Sequence, residues 1–494
     1  MKITTKKTNR QNDKLHNLSQ HLIEVVYYLL IGITPLIVYL KIIPVDQKYL
    51  KYWFSPTVFD FFSYYKSVFI IGLFFLLLVL GFYSLIKNFE LKKSLSTLRS
   101  DKLIVFTILY FLFIVISTVF SNYRDIALLG FYERREGMLV LIAYLAFFIT
   151  LYYKQPNPIF LKRVMLVIIL SALIICFIGI FQFFRLNFFN SELGKYLILP
   201  EQYSSLASQL KFPKIKAFST LYNSNNLAHF TAMLLPIFLI IAIFKKNTKY
   251  FIILMSVALI LYITLVASRG KGGWFSFAFI LTTLSDILVY YKNWFLLNRL
   301  LFIILCFMAM FLAMNFSSNG LIKSKPNAAS PFSPPENSKF IEENDSFYKK
   351  YGHLLTYRVG TWINSLEMSG ESILLGSGPD TFAITYKDHL PESRRTKILV
   401  DKPHNIYIQN LINIGGLGLL SFLVMMITVF YRSFKYIVAK GINNDESIFV
   451  LALTLGALGY LLAGMFYDST VHVSPTFWVI LGLCASLTRS LAKN

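Results

Sequence analysis

The residues best suited to chemistry are His404 and Asn405, followed after nine residues by Gly415 and Gly418 in HNIYIQNLINIGGLG. Gly415 is eleven positions beyond His404 and Gly418 fourteen, or about three and four turns of helix. A continuous helix would therefore place all three on one face. Its glycines would admit a neighbouring helix closely, and the imidazole would stand at a membrane boundary. A neutral histidine there can take a proton from a hydroxyl group. The plainer alternative is an interfacial hydrogen-bond donor above ordinary packing glycines.

Two arginines stand in comparable settings. Arg269 ends an apolar run in LVASRGKGG, and Arg358 opens the amphipathic stretch TYRVGTWINSLEMSG. A guanidinium stays charged and binds phosphate through paired hydrogen bonds. The alternatives are a snorkelling helix-end residue for Arg269 and a solvated or salt-bridged loop residue for Arg358. Arg134, Arg135 and Glu136 in FYERREG form a further charged cluster, able to bind substrate or to lock a turn. The chain contains no G-x-x-x-x-G-K-[ST] and no G-x-G-x-x-G, so it carries no nucleotide-binding motif. Such a site suits a substrate that arrives already activated, for example a lipid diphosphate bearing a sugar. Arginines would neutralise the leaving diphosphate, and histidine would deprotonate an acceptor hydroxyl.

These residues need elements to hold them, and hydropathy supplies the elements. The 494 residues are 56% hydrophobic and only 15% charged, with apolar runs of about 20 residues recurring along the chain. We read an all-α polytopic membrane protein with about twelve transmembrane helices at 22–43, 67–86, 103–120, 137–153, 164–184, 227–244, 250–267, 272–291, 300–316, 405–430, 447–466 and 473–490. Asp286 makes 272–291 the weakest of them. The first run is too long for a signal-peptide core and reads as an uncleaved helix. The organisation is then a basic cytoplasmic tail at 1–21, helices 1–9 over 22–316, a large outer loop at 317–403 between helices 9 and 10, and helices 10–12 over 404–494. Within the loop, 317–344 is rich in Pro, Ser, Asn and Lys and is expected to be mobile. The region 357–382 is expected to be a partly folded cap, with an amphipathic helix from Tyr357 to Ser369 and a Gly-Pro turn at LLGSGPDTF.

The net charge of +23 resides in short loops between the apolar runs, which points to topology and anionic lipid rather than nucleic acid. The basic loops at 87–102, 154–163, 245–249, 292–299 and 431–446 fall on one side, by the positive-inside rule the cytoplasmic one. SRG, the long loop and the HN pair then share the outer face. Cys176, Cys306 and Cys484 each lie inside an apolar run, far apart, and read as small buried side chains. No metal cluster is evident.

The ordered set FYERREG, AFSTLYNSNNLAHF (Ala217 to Phe230), SRG (Ser268 to Gly270), R-x3-W with GSGPDTF (Arg358 to Phe382), and HN-x9-GxxG resembles the O-antigen ligase and O-antigen polymerase family of bacterial membrane glycosyltransferases. HN-x9-GxxG is the fairly specific member of the set. The resemblance implies a GT-C-like fold in a bacterial inner membrane and an active site on the extracytoplasmic face. It also implies an undecaprenyl-diphosphate-linked glycan donor, a glycan or other hydroxyl acceptor, and metal-independent, cofactor-free, inverting transfer. It assigns the donor diphosphate to Arg269 and Arg358 and activation of the acceptor to His404; we add Asn405, Arg135, Asp380, Gly415 and Gly418 as candidate supporting positions. Family members either ligate a finished glycan or polymerise repeat units. A composition rich in Lys, Ile, Asn and Phe suggests an AT-rich genome and favours polymerisation of a cell-surface polymer, such as a teichuronic-acid-type polymer. The rival class is a lipid-linked oligosaccharide flippase or transporter, which would line a central path with intramembrane charges.

Overall fold

The computed structural model describes residues 18–53, 55–88, 101–212, 217–317, 358–390 and 400–490. Most of the basic tail, most of the basic loop at 87–102 and nearly all of the stretch expected to be mobile at 317–344 lie outside them. The elements in chain order are α1 (18–32), β1 (Lys41–Pro44), β2 (Thr57–Asp60), α2 (Tyr64–Asn88), α3 (Lys102–Phe120), α4 (Arg124–Leu129), α5 (Met138–Lys154), α6 (Pro158–Phe183), α7 (Glu192–Ile198), α8 (Ser224–Phe244), α9 (Thr248–Ala267), α10 (Lys271–Tyr290), α11 (Trp294–Ser317), α12 (Arg358–Ser369), α13 (Phe382–His389), α14 (Ile406–Lys440), α15 (Asp445–Ala463) and α16 (Ser474–Leu487). Short 3-10 turns join several of these.

The chain is almost entirely helical and polytopic. Among the described residues nine helices are long and apolar enough to cross a membrane, and α5 and α16 are shorter apolar helices. All twelve expected segments overlap a helix, but the count of twelve spans is not reached by length. The first segment departs most. The helix ends at residue 32, where Thr34–Leu36 tightens into a 3-10 turn. Pro35 has no N–H to donate and its ring crowds the preceding turn, so the helix stops there. The chain runs on irregularly over 37–40 into β1, which pairs antiparallel with β2 in the register Lys41↔Asp60 to Pro44↔Thr57. Among the described residues this pair of four-residue strands is the one sheet in a chain that is otherwise all-α, as expected.

Helix starts follow from side chains that replace missing backbone partners. Asp101 accepts from Leu103 N at the head of α3, and Asn157, Asn223, Asn247, Asn405 and Asn444 do the same for α6, α8, α9, α14 and α15. The core is built around α8 and α15, whose apolar windows are 89% and 78% buried against 22–44% for the other candidate spans. Such helices are apolar all round because every face meets protein.

The connections segregate to two ends. At one end Arg432 pairs with Asp101 (2.7 Å), Lys154 with Glu24 (3.4 Å) and Lys245 with Asp445 (3.0 Å). At the other, Tyr49 donates to Asp125 (2.7 Å) and Tyr52 to Asp388 (2.6 Å), while Phe131 N donates to Asp380 (2.8 Å).

The second departure lies in α14. Gly415 has φ +86°, so the helix breaks there and the common face expected for His404, Gly415 and Gly418 does not exist. The break is filled by the Gly-Pro loop rather than by a neighbouring helix. Ser377 N donates to Ile412 O (2.8 Å), Gly378 N to Asn413 O (2.9 Å) and Gly416 N to Ile373 O (2.6 Å). These bonds satisfy the backbone groups that the break releases. A Cβ on Gly415 would lie 2.2 Å from Leu374 O, so the close approach is of loop backbone. Gly418 packs on Ile414 of its own segment and toward Phe113 of α3.

Candidate active site

Asn405 uses both ends of its amide. Its Oδ1 accepts from Tyr407 N (2.9 Å) and Ile408 N (3.2 Å), which starts α14, and its Nδ2 donates to Met465 O (3.0 Å). Ile406 N donates to Gly464 O (2.8 Å). The HN pair is thereby clipped to the connection between α15 and α16. This clip places His404, at φ +55°, against Asp468, with His404 Nδ1 2.9 Å from Asp468 Oδ2. The histidine side chain is 38% exposed and the aspartate 10%. Burial alone would raise the Asp468 carboxyl, but the His404 imidazole, then Lys402 and Arg358, outweigh it and hold it below the ordinary carboxylate range. An ionised carboxylate can only accept, so Nδ1 carries a proton, which in the neutral ring leaves the lone pair on Nε2. A partly exposed ring with its tautomer fixed in this way has the form of a general base.

The same connection receives Arg358 and the turn that bears Arg269. Arg358, at the start of α12, donates from Nη1 to Phe466 O (2.8 Å), and its guanidinium carbon lies 5.8 Å from the centre of the Tyr467 ring. Arg269, at φ +56°, lies between α9 and α10. The glycines after it pack on Phe466 and Tyr467: Gly273 N donates to Tyr467 OH (3.0 Å), and a Cβ on Gly272 would meet Phe466 Cβ at 2.8 Å. Arg269 Nε is buried with no hydrogen-bond partner among the described residues, and burial pulls the guanidinium below its usual pKa. A buried charged donor without an acceptor is costly, and an anion beside it would remove that cost. Phe466, Tyr467 and Asp468 thus join the SRG turn, Arg358 and His404 in one place.

The FYERREG turn is held beside them by a buried ion group. Lys402 Nζ lies 3.3 Å from Glu136 and 3.6 Å from Asp380, and it donates to Ser469 O (2.8 Å). Burial favours the neutral amine, but the carboxylates of Asp380 and Glu136 outweigh it and hold Lys402 charged. Asp380 also accepts from the backbone N–H groups of Phe131 (2.8 Å) and Glu136 (3.1 Å). Asp380 is therefore a clamp between the Gly-Pro loop and the FYERREG turn. Gly378, at φ +112°, lets that loop approach: a Cβ there would meet Ser121 Oγ at 2.6 Å. Arg134 pairs with Asp401 and stacks on Tyr222 at 4.6 Å. Arg135 does not join His404; it stands over Tyr64 (5.2 Å) and Tyr132 (5.7 Å). For Arg134 and Glu136, locking the turn is the role their partners give.

Sequence reasoning passed over Asp468 and Lys402. The signal for Asp468 was a single acid in the short gap between two apolar runs. Lys402 offered none, because its partners lie 266 and 22 positions away. Cys176 and Cys484 are buried as expected, whereas Cys306 is exposed on α11. Among the described residues no three His, Cys, Asp or Glu side chains are grouped to hold a metal.

Residues 255–423 match the family model described as O-antigen ligase. The match covers about a third of the chain, from within α9 into α14, and includes Arg269, Arg358, Asp380, His404, Gly415 and Gly418. Glu136 and Asp468 lie outside it. No curated protein matches the chain.

Proposed function

We propose that this polytopic membrane protein is a glycosyltransferase of polysaccharide synthesis, transferring glycan from an undecaprenyl-diphosphate donor to a hydroxyl of a second glycan. The observation that carries the reading is the convergence of His404, Arg358 and the glycine turn that follows Arg269 on Phe466–Asp468. The partial family match supports the same class. His404 Nε2 takes the acceptor hydroxyl proton. The acceptor oxygen bonds to the anomeric carbon from the face opposite the leaving group, so the carbon inverts. The bond from that carbon to the diphosphate oxygen breaks, and the lipid diphosphate departs with its charge against Arg269 and Arg358. Asp468 holds the imidazolium that forms. The chemistry uses no metal or cofactor, and the fold is read as GT-C-like with this end on the extracytoplasmic face of a bacterial inner membrane. Polymerisation is the favoured outcome over ligation.

The transporter alternative gains nothing from Asp286, which is exposed on the penultimate turn of α10 rather than facing a central path. The test is transfer by purified protein given a lipid-diphosphate glycan and an acceptor glycan. Arg269→Lys and Arg358→Lys are each expected to weaken donor binding about tenfold, since an ammonium gives up the paired geometry. Movement of intact lipid-linked glycan across a vesicle bilayer without bond formation would refute the reading.

A further inference from the structure

One cleft is lined by none of the residues around His404. It has a volume of about 610 Å3 and is lined by Tyr39, Lys41, Tyr65, Glu201, Gln202 and Tyr203, with apolar Leu40, Ile42 and Pro200 between them. One wall is the start of the hairpin and the head of α2; the other is the turn after α7. Backbone hydrogen bonds fix the walls: Tyr39 N donates to Phe61 O (2.8 Å), Leu40 N to Ile198 O (2.8 Å) and Tyr203 N to Pro200 O (2.8 Å). Leu40, Ile42 and Tyr203 of its lining belong to one apolar cluster with Phe62, Phe189, Phe212 and Phe218, whose rings stack edge and face on one another at 5.6–6.3 Å. The cleft is therefore preformed against a rigid cluster, with a volume inside the ~300–1,000 Å3 range of small-ligand sites.

We propose that this cleft is a saccharide-binding site that holds a short stretch of glycan away from the reacting end. A sugar ring has one face of C–H groups and a rim of hydroxyls. It is recognised by aromatic rings together with mixed donors and acceptors. The lining provides both: three tyrosine rings and hydroxyls, an ammonium, a carboxylate and an amide. A lipid tail would require apolar walls. An anionic phospholipid headgroup would favour cations without a carboxylate such as Glu201 among them. The cleft is linked to the candidate active site by a chain of side-chain contacts. Lys41 Nζ lies 5.4 Å from the centre of the Tyr64 ring, and Arg135 lies 5.2 Å from the same ring. Arg135 adjoins Glu136, the partner of Lys402, which is two residues from His404. The identity of the glycan as substrate rests on the glycosyl-transfer reading; the binding of saccharide does not.

The test uses the full chain in nanodiscs on an array of defined oligosaccharides, neutral, N-acetylated and uronic, with empty nanodiscs as control. The parent and His404→Ala are expected to bind the same sugars with equal affinity. Tyr39→Ala with Tyr203→Ala is expected to weaken binding at least tenfold. Gln202→Ala, at an exposed position that does not bear on folding, is expected to weaken it severalfold. Binding by these variants equal to the parent overturns the proposal, as does no array sugar held above empty nanodiscs. Loss of a copurifying phospholipid from the tyrosine variants, with sugar binding intact, assigns the cleft to lipid and also overturns it. If the tyrosine-dependent binding is found and His404→Ala still transfers sugar, the catalytic reading alone fails.

Discussion

Replacing Asp468 by asparagine keeps the shape of the side chain and removes its charge. In the parent, Oδ2 holds Nδ1–H of His404 at 2.9 Å, with the carboxylate 10% exposed. Hydrogen bonds to a charged group contribute about 1.5–3 kcal/mol. If that amount is lost as positive charge develops on the imidazole, each ~1.36 kcal/mol costs a factor of ten, so kcat falls about 10–150-fold. The loss is larger if the amide turns its N–H toward Nδ1, because the ring proton then moves to Nε2 and the base disappears. The assay is steady-state transfer from a lipid-diphosphate glycan, with donor affinity measured separately. Donor affinity is expected to change less than about threefold, because Arg358 keeps its bond to Phe466 O and the turn after Arg269 its bond to Tyr467. Adding Asp468→Asn to His404→Ala should cost nothing further, since the two act as a unit. A single variant within about threefold of the parent, or independent multiplicative losses in the double variant, refutes the assignment of Asp468 as the group that orients His404.

Three further predictions concern the frame. Lys402→Met leaves Glu136 and Asp380 buried without their cation and should destabilise the protein by about 3–5 kcal/mol, read as a lowered Tm in detergent. Gly415→Ala sets a side chain at φ +86° and 2.2 Å from Leu374 O, so the Gly-Pro loop must move; yield and Tm should fall, whereas equal Tm to the parent would show that the break is not required. Glu133 is pushed up to about 7, first by burial and then by Asp60 and Asp401, against the pull of Arg134. Its unfolded value is about 4.3, so the folded state binds more protons between about pH 4.3 and 7 and stability falls as pH rises through that window. Glu133→Gln removes that slope, and its Tm should gain on the parent between pH 5 and pH 8; parallel Tm curves would refute this.

The helices were legible because burial in lipid or protein leaves long apolar runs, and the amphipathic spacing from Val359 to Leu366 marked α12. The hairpin was not, because Ile42 and Ile43 extend the hydropathy of α1 past the proline that ends it. The glycines of HN-x9-GxxG were visible as close-approach positions, but spacing alone assumed an unbroken helix. What approaches is the backbone of residues 373–378, some forty positions earlier. His404 and both arginines could be picked out by type. The residue that orients His404 could not, since Asp468 comes near it only through the clip formed by Asn405, Ile406, Gly464 and Met465.

The connection from Gly464 to Ser469 behaves as a ruler. Consecutive residues on it serve different tasks: Gly464 and Met465 anchor the HN pair, Phe466 and Tyr467 seat the two arginine-bearing turns, Asp468 faces the imidazole, and Ser469 meets Lys402 and Glu136. The spacing between the two arginine-bearing turns and the imidazole is thus set by residue count along one short piece of chain. A one-residue insertion or deletion there would put every later contact out of step at once, whereas single side-chain changes would disturb one graduation and leave the scale intact.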